Sequence, residues 1–271
     1  MRLTATMLLK KPALDGGPMT QSADFDAATT EGLAGAAPAL LLCEHASAEI
    51  PAEFRELGLP PETRFSHAAW DPGALTLSRH LSAAMGVPLV FGAVSRLLYD
   101  CNRPPEAPDS VPEKSEIHEI PGNRGLSPEA RADRANRIYH PFCAAVDAAM
   151  EAARPAALIT VHSFTPVYFG KHRPVEIGVL HDTDTRLADA LLAELEGAPY
   201  RIERNQPYGP ADGVTHSLKR HAIARGLPNV MLEVRNDLLA DPARAADVAA
   251  LLARTLPAAL GRMPGTAGAA P

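Results

Sequence analysis

The chain has 271 residues, 46% of them hydrophobic and 21% charged, with a formal net charge of -6, which is enough apolar content for a sizeable core in one large or two small domains. That acidic balance, with no dense Lys/Arg cluster, excludes the electrostatic footprint of a nucleic-acid binder. Cys43, Cys101 and Cys143 have neither a CxxC spacing nor an even count, which argues against a disulfide framework or a four-cysteine zinc site and suits a reducing cytoplasm.

In chain order, residues 1–37, with "DGGPMT" and "EGLAGAAP", lack a sustained period and read as a poorly ordered leader. The opening "MRLTATMLLKKPAL" is too short and Thr-interrupted for a signal peptide, and no segment reaches the ~18 apolar residues of a membrane span. Apolar runs then alternate with helical periods: strand 39–43, helix 73–85, strand 87–94, helix 127–153, strands 157–161 and 175–180, helix 184–196, strand 200–203, helix 214–225, strand 229–234 and helix 243–257. Ser127 reads as an N-cap, with Pro128 at the first helical position. Residues 259–271 read as a disordered tail, which leaves 38–258 as the folded unit. The unbroken runs "ALLLC" and "AALITV" suit strands covered on both faces. The expected fold is α/β, a single domain with a mostly parallel or mixed central sheet flanked by helices.

Open α/β sheets place ligands beyond the carboxyl ends of their strands, and that is where the polar residues gather. "ALLLCEHAS" (39–47) runs into Glu44, His45 and Ser47, "ALITVHSFTP" (157–166) into His162 and Ser163, and "NVMLEVRND" (229–237) carries Glu233 and Arg235. A single strand-end histidine is most often a hydrogen-bonding residue, but two with a glutamate can converge on one edge. Glu233 reads as catalytic or as a salt-bridge partner of Arg235. In "SRLLYDCNRPPEAP" (95–108), Arg96, Asp100, Asn102 and Arg103 lie together, and an Asn-Arg pair on a loop suits the anionic end of a substrate. The plain alternative is an ion pair between Arg96 and Asp100 stapling that loop. Asp71, in "HAAWDPGA" (67–74), reads on its own as a helix N-cap. Ser163 beside His162 invites a serine-hydrolase reading, but no G-x-S-x-G elbow occurs. A non-catalytic amino-acid-binding module would keep the clamp without needing Glu233 and two histidines.

In order, "CEHAS", "HAAWDPGA", "SRLLYDCNRP", "IPGNRGLS", "VHSFTP", "RPVEIGVLHD", "NQPYG" and "MLEVRND" resemble the N-formylglutamate amidohydrolase family over about residues 38–255. Members of that family look like distant relatives of the zinc carboxypeptidases and aspartoacylases. The resemblance implies a zinc-carboxypeptidase-like fold, a Zn2+ cofactor or another divalent metal, and hydrolysis of a small N-acyl amino acid, in the type reaction N-formyl-L-glutamate to formate and glutamate. It implies His45 and His162 as metal ligands, since a hydrolytic zinc site keeps three protein ligands and an open position. The carboxylate expected three residues after the first histidine is replaced here by Ala48. Asp71, Glu44 and Glu49 are the remaining candidates. Strand alternation disfavours Glu44, and the family setting favours Asp71. Glu233 resembles the general base, Arg96 the positive partner of the tetrahedral intermediate, and Asn102 with Arg103 the grip on a substrate carboxylate, oriented by Asp100. Arg173 and Arg235 are further anion-binding candidates, and His140, Asn123 and Tyr208 are assigned to packing at the margin.

Overall fold

The computed structural model describes residues 25–32 and 35–263. Seven strands form its central sheet: β1 (Ala28–Glu31), β2 (Leu40–Cys43), β3 (Leu89–Gly92), β4 (Leu158–Phe164), β5 (Ile177–Leu180), β6 (Ile202–Arg204) and β7 (Asn229–Arg235). Their spatial order is β1-β3-β2-β4-β7-β5-β6. The run β3-β2-β4-β7 is parallel, β1 joins it antiparallel through β3, β5 pairs antiparallel with β7, and β6 closes the far edge parallel to β5. The sheet is mixed and mostly parallel.

Strands β2, β4 and β7 are buried at every position, as their unbroken apolar runs require. The period of two then divides their side chains between two cores. Leu41, Ile159, Val161, Val230, Leu232 and Val234 pack on one face with helices α1 (Ala74–Met85), α4 (Arg186–Glu194) and α5 (Pro242–Gly261). Leu40, Leu42, Leu158 and Met231 face the other core, which includes Ile138, Phe142 and Val146 from the segment running from α2 (Pro128–Arg134) through a π-helical turn (Ala135–Tyr139) into α3 (His140–Ala153). Ser127 caps α2 by accepting from Ala130 N at 3.2 Å. Where a helix is expected over 214–225, the chain forms a π-turn (Leu218–Ala222) and a 3-10 turn (Ile223–Arg225).

β1 lies inside the span read as a leader. Its pattern is half exposed, as suits an edge strand, and it is held by pairing with β3 from Ala28 opposite Gly92 to Glu31 opposite Leu89 and by Arg79 bonding Glu31 at 2.8 Å. At the other end α5 continues to Gly261, past the expected start of the tail. Residues 1–24, 33–34 and 264–271 of those two segments lie outside the described residues. Among the described residues no helix is long and apolar enough to cross a membrane, and all three cysteines are buried and free.

Gly92 matters to the site. A Cβ there would collide with the backbone oxygen of Glu44, so only glycine lets β3 end this close to the turn that carries Glu44 and His45. Gly178, opposite Glu233 in the β5–β7 pair, plays the same part on the far side. Its missing Cβ makes room for the Gln206 carbonyl, which brings the following Tyr208 to the cleft.

Candidate active site

Three strands end side by side and deliver the polar residues together. In the β4–β7 register Glu233 stands opposite His162, and alternation turns both toward the face of Leu158 and Met231. His45 follows β2, the neighbour of β4 on its other side. Asp71 arrives on the loop before α1, pinned where its N–H donates to the His45 carbonyl at 2.9 Å and where Ser163 Oγ donates to Pro72 O at 2.8 Å. That bond spends the Ser163 hydroxyl on a backbone carbonyl and removes it as a nucleophile paired with a histidine.

The imidazole Nδ1 atoms of His45 and His162 lie 3.3 and 3.0 Å from Asp71 Oδ2. These three buried residues each offer a ligand atom, all within 4.8 Å of one another, and so form a group able to hold a metal ion. Each ring is braced from behind. His45 Nε2 bonds Asp100 Oδ1 at 2.7 Å, and His162 Nε2 lies 3.1 Å from Glu44 Oε2 in an ion-pair contact. An outer carboxylate on the second nitrogen fixes ring orientation and raises the basicity of a metal-ligating histidine. Glu49, the other candidate third ligand, is 63% exposed at its side chain and pairs with Arg64.

The fit to a metal can be read from what is left unpaired. Glu233 Oε2, on a residue that lines the cleft, is buried without a hydrogen-bond partner, although buried polar atoms are nearly always satisfied. Two imidazoles and one carboxylate converging on a cleft are the donor set of a zinc site with an open position. The residues fit the group.

The protonation pattern points the same way. Burial disfavours charge on His162, yet Glu44 and Asp71 outweigh it and raise its pKa well above the ordinary value. Burial and the Arg96 charge likewise oppose a proton on His45, and Asp100 and Asp71 overcome them. Burial works against the Glu44 charge, but His162 holds it down at about 2; Asp71 and Asp100 are also depressed, by His45 above all, against the same penalty. Glu233 goes the other way. Burial pushes it up to about 7, only partly offset by His162, the range in which a carboxylate can take and return a proton near neutrality. No ion pair with Arg235 relieves it, because Arg235 is spent on Asp237 at 2.7 Å and on Glu176 at 3.4 Å.

A cleft of about 160 Å³ opens over this centre, lined by His45, Asp71, His162, Glu233, Arg96, Asn102, Arg103 and Tyr208 among others. Arg96 reaches Asp71 at 3.2 Å and Asp100 at 3.1 Å and remains 27% exposed at its side chain. Arg103 donates to Asp109, Asn102 O and Gly213 O; its Nη2 makes no hydrogen bond among the described residues. The Asn102 amide is committed to Val214 O at 2.6 Å and Ser217 N at 2.9 Å, so it fastens the 214–217 turn. Arg173 bonds Tyr208 OH at 2.7 Å and lies over the rings of Tyr168 and Tyr208, with guanidinium–centroid distances of 4.2 and 4.7 Å. It has no carboxylate partner among the described residues.

Two expectations for substrate contacts therefore change. Arg235 and Arg173 are both absent from the cleft lining; two acids on its own side neutralise Arg235, whereas Arg173 adjoins the cleft through its bond to the lining residue Tyr208. Asn102 lines the cleft, but with an amide already bonded on both ends. Asp100 does more than orient the Asn-Arg pair, since it bonds His45, Arg96 and the Asn102 N–H at once. Tyr208, expected to pack at the margin, lines the cleft. Asn123 is structural, bonding Leu97 O, Pro112 O and Arg134. Glu44 as the brace of His162 was missed; alternation, which sends Glu44 and His45 to opposite sides, contained the signal.

The sequence model described as N-formylglutamate amidohydrolase matches residues 37–240. Among solved structures, gene product Atu2144 from Agrobacterium tumefaciens is similar, at 49% identity and a TM-score of 0.84, over 88% of this chain and 96% of that one. An N-formylglutamate amidohydrolase from Ralstonia eutropha JMP134 shares the fold at 20% identity and a TM-score of 0.61, over 87% of this chain and 97% of its own. No curated protein matches the chain.

Proposed function

The chain belongs to the N-formylglutamate amidohydrolase family, and from that premise we propose that it is a metal-dependent amidohydrolase cleaving the N-formyl or N-acyl amide of an acidic amino acid. The observation that carries the reading is the buried His45–Asp71–His162 group with the unpartnered Glu233 carboxylate on the next strand.

Held by these three residues, a divalent ion, zinc by its donor set, would polarise an amide carbonyl and lower the pKa of water to about 7. The chain's own residues do the rest. Glu233, at about 7, takes a proton from the attacking water and hands it to the departing amine, the exchange for which a carboxylate titrating near neutrality is suited. Arg96, fixed from behind by Asp71 and Asp100, presents positive charge to the oxyanion that develops on the carbonyl oxygen. Arg103, through its free Nη2, and Arg173, unneutralised beside Tyr208, are the guanidinium groups left to bind substrate carboxylates. Hydrolysis breaks the amide C–N bond and forms a C–O bond from water, releasing a carboxylate and an amino acid.

The test is formate release from N-formyl-L-glutamate by zinc-loaded protein, beside a chelated sample and a panel of N-acyl amino acids with acidic and neutral side chains. Chelator-sensitive release, faster for the acidic members, is expected. Release that survives chelation would remove the metal reading, and a panel with no substrate would remove the amidohydrolase.

A further inference from the structure

Three stretches of the cleft wall meet at one carboxylate. His67, Ser115 and Tyr168 all line the cleft; Ser115 belongs to the hairpin of Lys114–Ser115 and His118–Glu119, and Tyr168 to that of Val167–Tyr168 and Lys171–His172. Glu116, 8% exposed at its side chain, sits in the first of these turns and joins all three stretches: Oε2 bonds His67 Nε2 at 2.8 Å, and Oε1 accepts from the Phe169 N–H at 2.7 Å. Glu116 and Phe169 both hold positive φ, 52° and 47°, a costly conformation for residues other than glycine that persists where the surroundings over-determine it.

The latch fixes a tautomer. An ionised carboxylate only accepts, so neutral His67 carries its proton on Nε2 and keeps a lone pair on Nδ1. Burial lowers the His67 pKa below the ordinary 6.5, with Glu116 opposing the shift and the charge of Arg96 adding to it, which keeps the ring neutral near pH 7. Nδ1 makes no hydrogen bond among the described residues, because the one bond to the ring is that from Nε2. The imidazole of His118, with ring centroids 6.4 Å apart, is occupied by Thr63 at 3.0 Å.

The cleft is otherwise short of such an atom. Arg96 and Arg103 can only donate, and the metal group and Glu233 have tasks of their own. Asn102 Oδ1 accepts from Ser217 N, the Ser163 and Thr165 hydroxyls donate to backbone carbonyls, and a free hydroxyl can turn to serve either role. His67 Nδ1 can only accept. A substrate of the proposed class offers several acceptors, its carbonyl and carboxylate oxygens, and one donor, the amide N–H.

Resting on the amidohydrolase reading above, we propose that His67 Nδ1 accepts the N–H of the scissile amide, and that Glu116 is the positioning residue that keeps this nitrogen unprotonated. His67 thereby selects secondary amides over their ester isosteres, since an analogue lacking the N–H leaves a lone pair of the site facing another lone pair.

Glu116→Gln separates this role from simple bracing. The Phe169 N–H cannot change direction, so the new amide turns its oxygen there and its NH2 toward His67 Nε2, and His67 answers by moving its proton to Nδ1. The experiment compares kcat/KM of the zinc-loaded full chain for N-formyl- and N-acetyl-L-glutamate with that for (S)-2-formyloxy- and (S)-2-acetoxyglutarate, the matching esters. His67→Ala and Glu116→Gln, each checked for an unchanged thermal midpoint, should lower the amide-to-ester ratio about 5- to 150-fold, the range for one buried hydrogen-bonding group left unpaired. Nitrogen NMR, with the His67 signals assigned by their loss in His67→Ala, should show the proton on Nε2 in the wild type and on Nδ1 in Glu116→Gln. A ratio that Glu116→Gln leaves within about twofold of wild type, or a wild-type His67 protonated on Nδ1, would overturn the proposal and leave the amidohydrolase standing. Failure of the wild type on both amides would overturn both.

Discussion

Asp100→Asn keeps the size of the side chain and removes its charge at the point where three donors meet. In the wild type Oδ1 accepts from His45 Nε2 at 2.7 Å and from the Asn102 N–H at 2.9 Å, while Oδ2 accepts from Arg96 at 3.1 Å. An amide has one acceptor to offer. If its oxygen serves His45 and Asn102, its NH2 faces the Arg96 guanidinium, donor against donor, and the flipped amide opposes His45 and Asn102 instead. At least one bond to the carboxylate is lost, one in the first orientation and two in the flipped one, so the cost is about 1.5–3 kcal/mol in stability for the first. His45 also loses the carboxylate that raises its basicity, and removing such an outer partner weakens metal binding about 10- to 100-fold, or about 1.4–2.7 kcal/mol. The assay is competition for zinc against a chromophoric chelator, with thermal unfolding of the metal-free protein alongside. Asp109→Asn is the control, because Asp109 also carries an arginine but is 58% exposed, where an ion pair is worth at most about 1 kcal/mol. Zinc affinity of Asp100→Asn within about twofold of wild type would refute the idea that Asp100 tunes His45.

Glu233→Gln preserves shape and removes the base; zinc stoichiometry should stay the same while kcat falls by about 10²- to 10⁴-fold, and retained turnover would take Glu233 out of the proton transfer. The pH dependence of the metal-free protein has a definite sign above pH 6.5. His45 and His162 have folded-state pKa values raised above the ordinary 6.5, so their stabilisation is complete below 6.5 and is lost as pH rises through the folded values; Glu233, raised to about 7, acts in the same direction up to that point. Chemical denaturation should therefore show stability falling above pH 6.5 without zinc, and zinc binding should release protons and tighten as pH rises; a flat metal-free profile there would contradict the charge assignment. Two arginines should separate cleanly. Arg103→Ala should raise KM for acidic substrates more than for neutral ones, whereas Arg235→Ala should leave KM alone and cost about 1 kcal/mol or less, since Arg244 still faces Glu176 and Asp237, and a KM effect of Arg235→Ala would return that residue to the cleft.

The strands that build the site were legible because burial on both faces demands unbroken apolar runs, and "LLLC", "LITV" and "NVML" are such runs. Their polar ends were legible for the same reason, since a charged residue at the end of a buried strand needs a purpose. β1 was not legible: Ala-Thr-Thr-Glu at a sheet edge buries too little to stand out from the Ala/Gly/Thr-rich sequence around it. The π-turns at Ala135–Tyr139 and Leu218–Ala222 leave the apolar period almost untouched while shifting the hydrogen bonds by one residue. Asp71 illustrates the limit within the site. Alone it reads as a helix cap, and its place between two histidines depends on contacts 26 and 91 residues away. Arg235 and Arg103 look equivalent in sequence. What separates them is which acids lie within reach of each guanidinium, and only the folded chain decides that.

The central claim is that His45, Asp71 and His162 hold one divalent ion on which amide hydrolysis depends. Titrating metal-free protein with zinc while following amide hydrolysis tests it most directly, with His162→Ala as the comparison. Activity that grows with added zinc, levels off at one equivalent per chain and fails to appear in His162→Ala is the predicted result. Full turnover before zinc is added, or equal zinc binding and activity in His162→Ala, would contradict it.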